Sequence, residues 1–358
     1  MHNNRQNITI KDIAKYVSVS ATTVSSVLNN GKIIVGPETK KKIIDAVKEL
    51  GYRPSRKAKQ LRMQKNHVIA FQIDSRISEA ETWRPTVLLS LLQLQGVCSY
   101  AYTNGYSVNL IVPQKDNDLQ EIESQIISEN SIDGLILTGW RDLSETEIRQ
   151  LLAKLDKCNV PVVSLDYKIY ELGYPSVSVN LRTGIKKACQ RIWELGHRNV
   201  CYIGGKKNVN PQQFPQRFNI ISDELAEWGV RLFHDKEKDV YSEIDAYRKT
   251  TEILTPNHER PTCIIYHGDH LAMAGIKAII DLKLRVPDNI SVIGIDNAPY
   301  SASSPVPLAT IDQKHFQQGV ILAKQLLDKI ENPQTPIPSI SVIESEFIER
   351  ESLGPIVK

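Results

Sequence analysis

The chain is 358 residues long and lacks any stretch approaching about eighteen unbroken apolar residues, and its opening, MHNNRQNITI, has no apolar run of the signal-peptide kind. Those absences argue against a membrane partner and predict a cytoplasmic protein. The five cysteines (Cys98, Cys158, Cys189, Cys201, Cys263) are odd in number and none is close to another in sequence. They predict buried free thiols rather than a disulfide framework or a metal site. No P-loop, dinucleotide fingerprint, nucleophile elbow or HExxH is present, so no enzyme and no cofactor are expected. YIGGKK (202–207) is the nearest approach to a phosphate turn and reads as an ordinary turn. His267, Asp269 and His270 fit a strand-to-helix turn better than any metal pattern. There is no internal repeat or low-complexity segment to suggest a solenoid or a tail.

What is present is a charge asymmetry. Residues 1–65 hold fourteen Lys and Arg against four Asp and Glu, a net of +10, while the remainder holds 30 against 37, a net of −7. A basic end on a mildly acidic body points to a polyanion bound by that end alone. Within it, Ile10, Ile13, Ala14 and Val17 mark one helix face, with Thr9 and Asp12 as its capping box. Ser20 is a good N-cap for a second helix, which turns Val24, Val27 and Leu28 inward and leaves Ala21, Thr22, Ser25, Ser26 and Asn29 outward. A third helix opens at Pro37, faces Ile43, Ile44, Val47 and Leu50 to the core and stops at Gly51. This is a helix-turn-helix pattern, and its charge separates it from an ordinary three-helix bundle. The run SATTVSSVLNN (20–30) carries no charge, as suits a surface set against base edges while cations elsewhere hold phosphates. RPSRKAKQLRMQKN (53–66) has six cations and no acid and reads as a segment that folds on DNA.

TIKDIAKYVSVSATTVSSVLN and VGPETKKKIIDAVKELGYRPSRKAKQLR resemble the DNA-binding and hinge segments of the LacI/GalR (lactose-repressor) family. The resemblance implies that Thr9, Ser20, Thr23, Ser25 and Asn29 hold phosphates and that Ala21, Thr22 and Ser26 read base edges. Ala58 and Leu61 would approach the minor groove, Leu61 as a wedge. The chain departs from the family pattern at three places: Ser26 stands where arginine is usual, Ser55 where asparagine is usual, and Gly36 where serine is usual. Loss of that arginine removes a guanine contact worth about 1–3 kcal/mol of discrimination.

From His67 onward apolar strand-like runs (HVIAFQI, YSVNLIV, IDGLILT, PVVSLD, SVSVN, NVCYIGG, CIIYHG, ISVIGID) alternate with helical stretches, including 86–104, 118–130, 144–157 and 270–283. Such alternation predicts two doubly wound parallel-sheet α/β subdomains, of periplasmic-binding-protein-like type, divided by a non-helical stretch near 167–175. The expected organisation is a DNA-binding domain over 1–52, a hinge over 53–65 and a core over 66–358. In the core, subdomain one takes about 66–167 plus 299–331 and subdomain two about 168–298 plus 332–350. Helix 314–331 and PLATIDQ (307–313) are placed with the first half, and SVIESEFIER (341–350) supplies a last strand to the second.

Ligands of such sheets sit beyond the carboxyl ends of the strands. That rule selects Asp74, Thr138, Trp140, Asp166, Tyr167, Asp269, Asp296 and Asn297, whose carboxylates and aromatic faces suit a sugar or other polyol. Asp269 has a duller reading, as the N-cap of the helix that follows, and Arg217 as a surface ion pair. The family resemblance continues through WELGHRNVCYIGG, LRVPDNISVIGIDN and PLATIDQ. It implies effector contacts at Asp166, Arg217, Tyr241 and Asp296, retention of Asp269 beside Gly268 where asparagine is usual, and Trp83 as a lid aromatic. Trp193 and Trp228 are read as core. Apolar residues on two faces of helix 270–283, and similar excess on 88–101, predict a homodimer, which would bring two heads to a near-palindromic double-stranded DNA operator. The expected function is sequence-specific transcription regulation, most simply repression, under a small sugar-like effector. The alternatives are a sugar-binding module with only nonspecific DNA affinity and an α/β enzyme acting on a sugar or nucleotide.

Overall fold

A computed structural model describes residues 8–28, 33, 35–52, 65–73, 85–112, 131–138, 144–165, 167–205, 217–234, 240–255, 260–334 and 336–356. The chain forms two compact units, Met1–Asn66 and His67–Lys358. Residues 53–64 of the expected hinge, including Ala58 and Leu61, and the helix expected at 118–130 lie outside the described residues.

The first unit holds α1 (Ile10–Tyr16), α2 (Ala21–Leu28) and α3 (Pro37–Glu49). Each start has a local cause. At α1 the Asp12 amide donates to Thr9 Oγ1 at 3.4 Å and the Thr9 amide to Asp12 Oδ2 at 2.8 Å. At α2 the Thr23 amide donates to Ser20 Oγ at 3.0 Å. Pro37 opens α3, Gly36 offers it no side-chain cap, and Gly51, at φ +65°, ends it. Ile13, Ala14, Val24, Ile43 and Ala46 form the buried centre, with Val27, Leu28, Val47 and Leu50 packed around them. Ala46 takes the inward position expected for Ile44, which is 38% exposed. Residues 43, 46, 47 and 50 follow the three–four spacing of a helix stripe, and residue 44 lies about 100° off it.

The second unit contains two six-stranded sheets. One is built from β1 (Val68–Gln72), β2 (Ser107–Ile111), β3 (Gly134–Leu137), β4 (Val162–Ser164), β5 (Ser176–Asn180) and β11 (Ile340–Glu344). The other uses β6 (Asn199–Ile203), β7 (Arg231–His234), β8 (Cys263–Tyr266), β9 (Ser291–Asp296), β10 (Ala309–Asp312) and β12 (Glu346–Ile348). The orders are β2-β1-β3-β4-β5-β11 and β7-β6-β8-β9-β10-β12, parallel except for antiparallel β12 on β10. The helices are α4 (Pro85–Thr103), α5 (Glu145–Lys157), α6 (Tyr167–Glu171), α7 (Leu181–Glu194), α8 (Arg217–Glu227), α9 (Glu243–Leu254), α10 (Asp269–Asp281) and α11 (His315–Glu331). The strands are apolar almost throughout because helices cover both faces.

This arrangement corrects the expected division. SVSVN (β5) lies in the first sheet and the strand of PLATIDQ (β10) in the second. SVIESEFIER divides at Ser345, giving β11 to the first sheet and β12 to the second. The stretch expected to be non-helical contains α6, and β7 and α9 are additional elements. α11 packs on the first lobe, as expected, with Leu322, Ala323, Leu326 and Leu327 in its core. The chain therefore passes between lobes at 180–181, 313–314 and 345. Two of these passages are stitched together: Ser345 Oγ donates to Asn180 O at 2.7 Å, and the Gly184 amide donates to Ser345 Oγ at 2.9 Å.

The second apolar face of α10 has an intramolecular partner. Ala246 and Leu254 of α9 share a cluster with Leu271, Ala272, Ile276 and Ile279, and Tyr247 Oη donates to Asp281 at 2.9 Å. α4 instead leaves Leu91 at 41% and Tyr102 at 82% exposure. Trp193, expected in the core, is partly exposed and stacks on Trp228 at 4.9 Å. All five cysteines are free, with Cys189, Cys201 and Cys263 buried and Cys98 and Cys158 exposed, where burial was expected.

Candidate functional site

In the first unit the uncharged α2 presents Thr22 to solvent, with Ala21, Thr23 and Ser25 half-buried and Thr9 and Ser20 exposed at the helix starts. Capping pairs Ser20 with Thr23, their Oγ and Oγ1 2.8 Å apart, and separately Thr9 with Asp12, Thr9 Oγ1 donating to Asp12 Oδ2 at 2.7 Å. Ser26 is not on the outer face. It is 9% exposed, accepts the Ile33 amide at 3.2 Å and donates to Ile33 O at 3.4 Å. The helix wheel places residue 26 outward, but the chain returning at Ile33 covers it, and no periodicity within α2 reveals that. Asn29 lies outside the described residues.

In the second unit the strand orders reverse direction between β1 and β3 in one sheet and between β6 and β8 in the other, the crevices where doubly wound sheets bind ligands. Among the described residues of the first sheet, that point holds neutral groups. Thr138 Oγ1 donates to Gln72 O at 2.8 Å and the Thr138 amide to Gln72 Oε1 at 3.2 Å. In the second sheet charged groups stand beside it, past the ends of β8 and β9. Arg217, at the start of α8, reaches Asp296 Oδ1 with Nη2 at 3.1 Å and donates through Nη1 to the His267 carbonyl. Gln313 Nε2 donates to the same Asp296 oxygen at 2.5 Å. Asp296 is nearly fully buried. Burial raises its pKa above the ordinary carboxylate range, while Arg217, His270 and Gln313 pull it back. It ends β9 at φ +129°, followed by Asn297 at φ +53°. Such backbone costs on the order of 1–3 kcal/mol per residue and is held in place here by the carboxylate's partners.

Aromatic rings complete the wall. Tyr202 Oη and His267 Nδ1 share a hydrogen bond of 2.6 Å, and the Tyr241 ring stands edge-on to His267 at 5.8 Å. Tyr241 is 54% exposed. The Gly-Gly of YIGGKK is explained by these rings. A Cβ at Gly204 would come within 2.3 Å of His267 Cβ, and one at Gly205 within 1.8 Å of Tyr241 Oη. A Cβ at Gly268 would lie 3.1 Å from Asp296 Oδ2, so glycine there leaves that carboxylate oxygen uncovered. The pocket thus combines a guanidinium with donors to spare, a carboxylate oxygen able to accept hydroxyl protons, and ring faces suited to C–H surfaces.

Asp269 does not join this wall. It is fully buried and its carboxylate is engaged on both oxygens, accepting the Ala298 amide at 2.7 Å, Ser301 Oγ at 2.6 Å and Thr310 Oγ1 at 2.6 Å. Nor does it cap α10, whose N-cap is Gly268. It ties α10 to the chain after β9 and to β10, and a strand-end aspartate before a helix looks the same in sequence whichever way it turns. Burial and the nearby Asp296 charge push its pKa up to about 6. Thr138 closes the first lobe's crevice, 296 and 217 meet in the second, and Asn297 Oδ1 is held by Arg350 at 2.7 Å. Asp74, Trp83, Trp140 and Asp166 lie outside the described residues. Sequence reasoning missed Gln313, His267 and Tyr202 as site groups. For Gln313 the available signal was its place just past the carboxyl end of β10.

Two family descriptions match the chain: "Bacterial regulatory proteins, lacI family" over residues 9–55 and "Periplasmic binding protein-like domain" over 189–353. The chain is 30% identical to the HTH-type transcriptional repressor PurR of Aliivibrio salmonicida (strain LFI1238), over 90% of this chain and 92% of that one. It is 30% identical to the probable HTH-type transcriptional repressor ExuR of Bacillus subtilis (strain 168), over 97% of this chain and 98% of that one. In fold it is similar to the lac repressor dimer bound to operator and the anti-inducer ONPF, with a TM-score of 0.75 and 22% identity over 97% and 99% of the two chains.

Proposed function

The chain belongs to the lacI family of bacterial regulatory proteins, and from that premise we propose that it is a sequence-specific transcriptional repressor acting as a homodimer on a near-palindromic double-stranded DNA operator. A small sugar-like effector binds in the second-lobe crevice and sets the DNA affinity of the heads from the cytoplasm. One observation supports the effector class above others: the Arg217–Asp296 pair, with Oδ2 left uncovered by Gly268, stands beside the Tyr241 and His267 rings. Alternating donors and acceptors against an aromatic wall match the hydroxyls and C–H faces of a polyol. The pocket is read as a binding site, its carboxylate held by a guanidinium and an amide. Among the described residues no helix is long and apolar enough to cross a membrane, and no group of three or more His, Cys, Asp or Glu is placed to hold a metal ion.

The expected DNA contacts stand within this proposal with one revision. Thr9, Ser20, Thr23 and Ser25 hold phosphates, while Ala21 and Thr22 face bases; Asn29, Ala58 and Leu61 keep the roles the family pattern implies. Ser26 shapes the interface by fixing Ile33 rather than by touching a base. The test is selection of duplexes from a random pool by the full chain, followed by gel-shift titration of selected against random sequence. The proposal expects a half-site repeat and a specificity ratio of about 10³ or more. A ratio near one refutes it.

A further inference from the structure

Gln93 and Gln318 are two glutamines that the DNA and effector contacts leave unused, and Gln313 leads to them from the pocket. Gln93 and Gln318 are buried, at 9% and 4% exposure, within the α4–α11 helix pair of the first lobe. Burying an amide side chain is unfavourable unless its donors and acceptor are matched. Here they are matched in sequence from the second-lobe pocket outward. Gln313 Nε2 donates to Asp296 Oδ1 at 2.5 Å. Gln318 Nε2 donates to the Gln313 carbonyl at 2.7 Å. Gln93 Nε2 donates to Gln318 Oε1 at 2.9 Å and lies 3.4 Å from His315 Nδ1.

The route matters because of where Gln313 sits. It lies on the passage between β10 of the second lobe and α11 of the first, beside Lys314 at φ +58°. Its side chain faces the pocket carboxylate and its carbonyl is gripped by the other lobe. Beyond Gln318 the load enters a rigid joint. A Cβ at Gly96 would meet the Phe316 carbonyl oxygen at 2.0 Å, and one at Gly319 the Gln93 carbonyl oxygen at 1.9 Å. The α4 and α11 backbones are therefore in direct contact, with no side chain between them to absorb a displacement.

We propose that Gln313, Gln318 and Gln93 are positioning residues that form a hydrogen-bonded relay, carrying a change at Asp296 across the lobe passage into α4. The effector significance of the relay rests on the pocket reading above, but its existence does not, and it is measured without an effector. The experiment is hydrogen exchange by mass spectrometry on the full chain, comparing Asp296→Ala with wild type in first-lobe peptides spanning residues 85–103 and 315–331 and in second-lobe peptides spanning residues 291–312. The same comparison is repeated in a Gln318→Met background. Methionine keeps length and volume while removing the amide. The relay predicts that Asp296→Ala speeds exchange in the α4 peptides by on the order of two- to tenfold, and that Gln318→Met abolishes this increment while leaving the response of second-lobe peptides intact. An α4 response of equal size in both backgrounds would overturn the relay, as would no α4 response to Asp296→Ala in the wild-type background. Should Gln318→Met fail to fold, Gln93→Met breaks the last link and carries the same two outcomes. A chain that shows the relay yet binds no polyol would refute the pocket reading alone.

Discussion

The two lobes of the core share one strand order and one kind of crevice, yet their described residues fill it with different chemistry. In the first lobe a threonine and a glutamine close the gap between β1 and β3 with neutral hydrogen bonds. In the second an arginine and an aspartate meet between β8 and β9 on strained backbone, with two rings beside them. Shared architecture therefore does not make the two crevices chemically alike; the side chains just past the strand ends set them apart. The buried titratable groups repeat the contrast. The second lobe keeps a carboxyl, Asp269, raised to about 6, and the first keeps an imidazole, His315, lowered to about 4, both because burial disfavours the charged form.

Breaking the comparison at Asp269 should have the largest effect. Asp269→Ala leaves the Ala298 amide and the Ser301 and Thr310 hydroxyls without their buried acceptor. We expect a loss of about 3–5 kcal/mol, read from urea unfolding, with the first lobe's crevice unaffected in hydrogen exchange. Next comes pH. The folded pKa of His315 lies below its unfolded value, so its contribution to stability is present above pH 6.5 and is lost as pH falls toward 4. His315→Gln should shrink the stability difference between pH 7 and about pH 4.5 by roughly 2 kcal/mol in the same unfolding assay. The raised pKa of Asp269 acts in the opposite sense: its desolvation cost is felt in full above about pH 6 and relieved below it. Thr138→Val sharpens the contrast between crevices, and we expect it to cost about 1 kcal/mol of stability in the same assay through loss of its bond to the Gln72 carbonyl. The smallest effect lies in the first unit. Ser26→Ala frees Ile33, and we expect at most about 1 kcal/mol in thermal unfolding, with operator preference broadened in the selection.

Legibility from sequence followed how local each cause is. Caps at Thr9, Ser20 and Pro37 act within one turn, so the first unit's helices could be read closely. Apolar strands announced themselves for the same reason. β7 did not, because an edge strand written Arg-Leu-Phe-His has little apolar run, and α9 did not, because its buried stripe is only Ala246, Thr250 and Leu254. Strand allocation failed at β5, β10 and β11 because a hydrophobic run states that it is buried, not in which sheet. Asp296 and Arg217 were singled out by the strand-end rule and the family pattern, and the structure brings them together, whereas the burial of Ser26 and the inward turn of Asp269 depend on segments that fold back from elsewhere. Buried glutamines such as Gln93 and Gln318 have the composition of a solvated helix face, so only the packed structure reveals them.

In the proposed function the charged crevice of the second lobe governs DNA binding. Its most direct test is fluorescence anisotropy of a selected operator, titrated with wild type and with Arg217→Met, each with and without the sugar that most raises the wild type's melting temperature. The account predicts that the sugar changes operator Kd by about 5- to 150-fold in wild type and leaves the variant's Kd unchanged. An equal change in both proteins would contradict it.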